Sequence, residues 1–250
     1  MFTLAAFAES IDPAAAWANI AGVADPHLTV SGDDILVPEL DQIVYLAAAI
    51  DQTVASQVRF RSPSLLEDGF EQYLVQLASG LTFGSPPQVE DYSKNPIQLR
   101  RVEALQMQVL SNPGAASVHY GLVGLADGAL VKAEGRIRTV RCTAAITLSA
   151  VAWVNGALTF PTSLRAGRYA VVGMSARSAN LVAARLVFPG LAWRPGVPAL
   201  NDEAEYDYPL FRMGNCGVMG EFDHSSPPTV DLLGVTDTSE EIFLDLVYMG

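Results

Sequence analysis

The amino-acid sequence predicts an all-β fold, and three observations support that fold class. From residue 23 onward, short apolar runs alternate with turns of Gly, Pro, Asn and Asp, which is the pattern of β proteins. Hydrophobic residues make up 50% of the 250 residues and charged residues 17%, which excludes a disordered chain. The heptad pattern of a coiled coil is absent.

The first element, at the N-terminus, is an exception to the β pattern. Asp12 can cap a helix and Pro13 suits the first helical position, so residues 14–20 are predicted to form a short helix that ends near Gly22. With the apolar residues before it, this helix forms a predicted N-terminal arm over residues 1–22. The alternative is a helix that packs on its own domain.

The rest of the chain contains about sixteen apolar runs, each predicted to be a strand. Segments 42–50 and 63–77 could instead contain a helix. Asn155-Gly156, between runs 151–154 and 157–160, is the strongest hairpin signal. The runs are 28–30, 35–37, 42–50, 57–60, 73–83, 97–99, 106–110, 117–125, 136–143, 147–154, 157–160, 169–177, 181–188, 217–222, 230–235 and 242–248.

The number of runs predicts the architecture. A jelly roll has eight strands, so about sixteen runs over about 230 residues fit two jelly-roll β-sandwiches in tandem. We predict the first over residues 23–130 and the second over residues 131–250, with the boundary in the stretch 127–135. No strict sequence repeat accompanies this division, which rests on spacing alone. The competing architecture is one large sandwich or barrel.

The charges indicate which partners the protein can have. The chain has 15 basic and 27 acidic residues, a net charge of −12, which argues against sequence-independent binding of nucleic acid by the whole surface. Residues 132–194 carry a net charge of +8 and residues 195–250 one of −10. Segments of opposite sign can pair within the fold or between neighbouring copies. Only two basic residues are lysine, and arginine is the basic residue that interfaces favour.

The cysteines and the longest uncharged run are both interpreted as parts of a β domain. Cys142 and Cys216 are too few for a disulfide scaffold, and two buried free thiols are predicted, with a single bridge as the alternative. The uncharged run 143–164 is long enough for a transmembrane helix, but its polar residues and turn signals favour two strands around a turn. The first nine residues lack the positive start of a secretory signal.

The search for catalytic and metal sites predicts no enzyme, no cofactor and no metal ligand. His27, His119 and His224 have no second histidine at metal-ligand spacing. Residues 221–226 hold an acid, a base and hydroxyls, but adjacent groups at a strand end do not form a triad, whose members converge from separate positions.

Three further candidates have a structural interpretation that we favour. Residues 202–207 contain four carboxylates that could hold Ca²⁺, but a solvated acidic loop, or one that pairs with a neighbouring copy, fits their spacing better. Cys216 could be a nucleophile only beside a base. Trp153, Trp193 and Tyr169 could line a carbohydrate groove, although aromatics on apolar strands are more often core or interface anchors.

The second half of the sequence contains distinctive strand and turn patterns at 164–174, 183–190, 193–196, 211–222, 227–231, 237–239 and 244–246. In these patterns it resembles major capsid proteins of the double jelly-roll lineage, which form the shells of tailless icosahedral viruses and phages. The resemblance covers roughly residues 136–250, and the first half only loosely. It is carried by strand and turn patterns rather than by an active-site motif.

This resemblance implies a homotrimer with a pseudo-sixfold outline that tiles an icosahedral shell, and a location in the virion after assembly in the host cytoplasm. The implied partners are further copies, other virion proteins and an internal membrane, which the arm could reach through Phe2, Leu4, Phe7 and Trp17; no sequence-specific nucleic acid is implied. The chain is short for the lineage and lacks a basic genome-binding arm. The alternatives are a minor virion (cement or spike) protein, a lectin-like carbohydrate-binding module, and a β-sandwich hydrolase built on His224.

Overall fold

A computed structural model describes residues 1–50, 56–67, 73–76, 88–128, 131–178, 180–199, 208–235 and 240–250. Strands contain 52% of the residues and helices 4%, so the all-β fold class is confirmed. Every strand pairing among the described residues is antiparallel, and the strands form four separate sheets.

The first half of the chain builds two of these sheets. Sheet 1 has the order β1-β11-β5-β8, with β9 also paired to β5; sheet 2 has the order β3-β4-β10-β6-β7, with β2 also paired to β10. A short helix, α1 (Pro63–Glu67), follows β6. The strands are β1 (Phe2–Ile11), β2 (Trp17–Ile20), β3 (Val30–Ser31), β4 (Asp34–Leu36), β5 (Gln42–Ile50), β6 (Ser56–Arg61), β7 (Tyr73–Gln76), β8 (Gln88–Asp91), β9 (Ile97–Gln98), β10 (Ala104–Leu110) and β11 (Ser117–Ala126).

The second half builds the other two sheets. Sheet 3 has the order β12-β19-β14-β17 and sheet 4 the order β13-β18-β15-β16. A 3₁₀ turn at Pro209–Phe211 lies between β16 and β17. The strands are β12 (Ile137–Ala144), β13 (Val154–Ala157), β14 (Arg168–Arg177), β15 (Leu181–Val187), β16 (Gly196–Pro198), β17 (Gly220–Asp223), β18 (Thr229–Gly234) and β19 (Glu240–Tyr248).

The two halves share one strand order. Counted along the second half, sheet 3 contains the first, eighth, third and sixth strands, and sheet 4 the second, seventh, fourth and fifth. The first half has the same order when the short strands β2, β3 and β4 are taken together as its second position and β9 is set aside. The chain therefore contains a structural repeat that has no counterpart as a sequence repeat.

Two buried cores hold the four sheets together. One core fills the space between sheets 1 and 2, where Phe7, Phe60 and Met107 meet. The other fills the space between sheets 3 and 4 and continues across the junction to the outer face of sheet 1. Sheet 1 is therefore covered on both faces, and every residue of its central strand β11 is buried. In contrast, β10 alternates buried and half-buried residues, and its buried ones belong to the core between sheets 1 and 2.

The predicted N-terminal helix is wrong. Residues 2–11 form β1, paired with β11, and Trp17–Ile20 form β2, paired with β10. Asp12 instead caps a turn by accepting a bond from the Ala14 N–H at 3.0 Å. Pairing of Trp17–Ile20 with β10 outweighs a weak local helix preference, and β1 has a buried environment on both faces. Leu4 and Phe7 are fully buried in it and are not available to a neighbour or a membrane.

The predicted hairpin at Asn155-Gly156 is also wrong, and so is the strand over 147–154, of which only Val154 is in a strand. Asn155 and Gly156 lie inside β13, where they pair with Asp231 and Val230 of β18. The Asn155 side chain donates to the Asp231 carboxylate at 2.8 Å. A Cβ on Gly156 would lie 2.3 Å from Ile146, so this glycine serves close packing rather than a turn. Of the two ambiguous segments, 42–50 is a strand and 63–77 contains α1.

Candidate functional site

The junction between the two halves is organised by a buried ion cluster. Arg185 of β15 in sheet 4 is fully buried and pairs with Asp231 of β18 at 2.9 Å and with Asp25 of the first half. Its guanidinium also donates to the Leu4 carbonyl at 3.3 Å and lies 4.1 Å from the centre of the Trp153 ring. A buried charge is tolerated only with several such partners, so this cluster depends on both halves at once.

Direct hydrogen bonds between the two halves lie close to this cluster. The Leu4 N–H donates to the Arg194 carbonyl at 2.9 Å, and the Arg194 N–H donates to the Thr3 hydroxyl at 3.1 Å. The Tyr45 hydroxyl donates to the Gly196 carbonyl at 3.3 Å. Tyr45 lies in a fully buried position, and burial raises the pKa of its hydroxyl well above the usual value. The two halves are thus joined by specific contacts.

A second buried cluster fixes the loop after the 3₁₀ turn onto sheet 3. Asp245 of β19 accepts bonds from Arg212 at 2.8 and 3.0 Å, from the Thr139 hydroxyl at 2.6 Å and from the Met213 N–H at 2.9 Å. Burial raises the pKa of Asp245, but these hydrogen bonds outweigh burial and the net pKa is lowered. No Cβ fits at the neighbouring Gly173, because it would lie 2.3 Å from the Asp245 carboxylate.

Among the described residues, the oppositely charged segments form several ion pairs within the fold. On the surface, Arg141 pairs with Glu241 and Arg168 pairs with Glu221. At the junction, Arg185 and Arg194 both pair with Asp231. For these four arginines, the intramolecular alternative of the sequence analysis is confirmed.

Three other arginines of the positive segment line a cleft of about 520 Å³ at the end of sheet 3. Within the described part of the chain, no carboxylate oxygen lies within 4.0 Å of the side-chain nitrogens of Arg136, Arg138 or Arg165. We call this feature the basic cleft. Its floor is apolar and its rim is basic and hydroxylic; the lining residues are Arg136, Arg138, Val140, Thr162, Ser163, Leu164, Arg165, Tyr169, Leu246 and Tyr248.

The acid, base and hydroxyl of residues 221–226 do not form a catalytic triad. The Ser225 hydroxyl donates to the Asp223 carboxylate at 2.6 Å rather than to a histidine. The Nδ1 atom of His224 lies 3.1 Å from the same carboxylate and accepts from the Gly167 N–H at 3.2 Å. A triad requires the imidazole between acid and hydroxyl, whereas here Asp223 lies between the other two groups. The group is a hydrogen-bonded turn at the end of β17.

Both cysteines are free, as predicted. Cys142 is buried and Cys216 is half-buried, with its thiol donating to the Leu210 carbonyl at 2.7 Å. Burial raises the pKa of each thiol to about 12. A nucleophilic cysteine needs a lowered pKa, so neither thiol is activated.

The three aromatic residues considered for a carbohydrate groove lie in the core or at the junction. Tyr169 is buried, stacks on Phe222 at 5.5 Å and meets Tyr248 edge-on at 5.3 Å. Trp153 lies against Arg185, and Trp193 packs on the core of the first half. Their ring faces are therefore used inside the fold.

The acidic run 202–207 lies outside the described residues. Over the described ranges, no three or more His, Cys, Asp and Glu side chains are grouped so that they could hold a metal ion. No helix in those ranges is long and apolar enough to cross a membrane.

Arg185 and Asp245 are the two organising residues that sequence reasoning missed. Each is a single charge inside an otherwise apolar run, at 181–188 and 242–248. A charge in such a run is buried only with partners, so this pattern is the signal that could have identified both residues. Their partners lie far away in sequence and could not be named from it.

Comparisons with known proteins give no assignment. No protein-family model matches the chain. No curated protein sequence matches it either. The functional argument therefore rests on the fold and on the surfaces described above.

Proposed function

We propose that this protein is a structural virion protein, the major capsid protein of an icosahedral shell, and that each half is a jelly roll. In a jelly roll, eight strands form two facing sheets through two Greek keys. The strand order shared by both halves, first-eighth-third-sixth opposite second-seventh-fourth-fifth, is the observation that carries this proposal. It agrees with the family that the second half of the sequence resembles.

The junction supports the role of a shell subunit. A subunit that tiles a lattice must present its contact surfaces in fixed relative positions. The Arg185 cluster and the bonds between Leu4 and Arg194 join the halves through buried groups from both. Breaking such a cluster costs several kcal/mol, which disfavours hinge motion between the two jelly rolls.

The composition supports self-association as the mechanism. Symmetric oligomers bury large surfaces against copies of the same chain, and the cores of such interfaces are depleted in charge and in lysine. This chain has 17% charged residues, and its basic residues are almost all arginine. Trimers form first in this proposal and then associate into the shell.

The deciding experiment measures the assembly state of the full chain. Size-exclusion chromatography with light scattering is expected to give a trimer of about 80 kDa, from a chain of 26.6 kDa, and negative-stain microscopy to show trimers or closed particles. A clean monomer at tens of micromolar would overturn the proposal. A monomer that also binds a glycan array, or is stabilised by calcium, would favour the lectin-like alternative.

A further inference from the structure

We propose that the basic cleft of one subunit binds the acidic run 202–207 of a second copy of this chain. This inference rests on the proposed self-assembly and names the contact that directs it. The cleft is the part of the positive segment whose arginines pair with no described carboxylate, and the run is the densest group of carboxylates in the sequence.

The cleft is built to receive carboxylates beside an apolar group. Arg136 and Arg138 extend from the start of β12, and Arg165 approaches from the turn before β14. The guanidinium of Arg165 lies 4.8 Å from the centre of the Tyr248 ring, a cation–π contact that holds it at the rim. Planar guanidinium groups bind carboxylates with two parallel hydrogen bonds, so a rim of three arginines selects an acidic ligand.

The run has the matching chemistry. Asp202, Glu203, Glu205 and Asp207 supply four carboxylates, and Tyr206 stands between the last two. The carboxylates suit the arginine rim, and an aromatic ring suits a floor that contains Leu164 and Leu246. A polyanion such as nucleic acid is the less favoured ligand, because a chain of net charge −12 repels it as a whole.

The last described residue before the run lies at the end of the second half opposite the cleft. The chain enters the run after Ala199, whose N–H donates to Val182 beside the turn that follows Arg177. The cleft lies at the other end of β14, near Tyr169, about 30 Å away for a ten-residue strand. Because the run and the cleft carry complementary charges and the proposed function is self-assembly, the occupant assigned to the cleft is the run of a second copy.

Such a contact is head-to-tail, because the surfaces that meet differ on the two subunits. A head-to-tail contact closes into a ring when the rotation between copies allows it, and a threefold rotation gives the proposed trimer. The charge pair would also steer the encounter and fix its register. The basic cleft would thus direct the formation of the trimer.

Charge reversal tests the contact. Arg138→Glu with Arg165→Glu is expected to weaken trimer association at least about 100-fold in sedimentation experiments, because rim and run then repel. The matched control is Arg141→Glu with Arg168→Glu, which makes the same charge change at exposed arginines paired within their own chain, and should change association less than about 3-fold. Adding Glu203→Arg and Glu205→Arg to the cleft variant should restore trimers to within about tenfold of wild type. Wild-type association of the cleft variant, or no restoration, would overturn the inference.

A binding assay separates this inference from the proposed function. A labelled peptide of residues 200–208 is titrated onto the wild-type protein, beside a peptide with Asn and Gln in place of its acids. Binding of the acidic peptide alone, lost in the Arg138→Glu/Arg165→Glu protein, supports the cleft assignment even if the wild-type chain proves monomeric and the shell proposal fails. No binding, or tighter binding of a single-stranded oligonucleotide than of the peptide, overturns it. Near-ultraviolet circular dichroism confirms that each variant is folded.

Discussion

Arg185 and Asp25 form an ion pair across 160 residues of sequence, and both side chains are almost completely excluded from solvent, at 0% and 3% exposure. One residue belongs to a central strand of sheet 4 and the other to the loop between β2 and β3. Burial lowers the pKa of Arg185 and the two aspartates counteract this effect without cancelling it. The pair therefore makes folding of one half dependent on the other.

The first prediction concerns this pair. Arg185→Leu leaves Asp25 and Asp231 buried without their main partner and is expected to lower the free energy of unfolding by about 3–5 kcal/mol in urea titrations. Arg141→Leu, which removes an exposed pair with Glu241, should cost less than about 1 kcal/mol. Equal effects of the two substitutions would contradict the importance of the junction cluster.

The second prediction concerns the close contact of Gly124 with Tyr45. A Cβ at Gly124 would lie 2.1 Å from the Tyr45 ring, so Gly124→Ala should destabilise by about 1–3 kcal/mol through overpacking. Tyr45→Leu alone should also destabilise, because the ring fills the space between the halves and meets Phe211 at 4.9 Å. The double variant should lose less stability than the two single variants added together, because the clash between the new Cβ and the Tyr45 ring no longer exists. Strict additivity in thermal or urea unfolding would show that the contact is not a clash.

The third prediction concerns the pH dependence that Asp245 contributes. Its pKa in the folded state is lowered, so the stability it contributes is present above the ordinary value of 3.8 and is lost as the pH falls through the lower folded-state pKa. Asp245→Asn should therefore cost about 1–3 kcal/mol at pH 7, and the difference from wild type should shrink below pH 4. Urea titrations at several pH values test this; a difference that stays constant down to pH 2 would argue against an ionised Asp245 as the acceptor.

The sequence was sufficient for the fold class and for many strands, because alternating and continuous apolar runs report burial directly. It failed at Asn155-Gly156, where a turn signal is used for a side-chain bond to Asp231 and for close packing under Ile146. It also failed at residues 14–20, where Trp17–Ile20 pair with β10 instead of forming a helix. Both failures have the same physical cause: the deciding contacts come from strands far away in the chain.

The candidate site was less accessible to sequence reasoning than the fold. The sequence shows that segments 132–194 and 195–250 carry opposite charges. It does not show whether these charges pair within one chain or between chains. The strand register places Arg141 opposite Phe243, so that its side chain reaches Glu241 diagonally, and it leaves Arg136 and Arg138 beside the cleft. The strand order therefore decides which arginines pair with a carboxylate of the described residues and which line the basic cleft.

The last prediction concerns His119, a buried residue of β11 beside the hydroxyls of Ser111 at 3.3 Å and Ser117 at 3.2 Å. Burial lowers its pKa from 6.5 to about 4, although Asp12 opposes the change. The unfolded chain takes up a proton at a higher pH than the folded one, so stability is full above about pH 6.5 and falls by roughly 3 kcal/mol as the pH drops to about 4. His119→Gln should remove this part of the pH dependence in urea titrations between pH 7 and 4.5, whereas an unchanged slope would exclude His119 as its source.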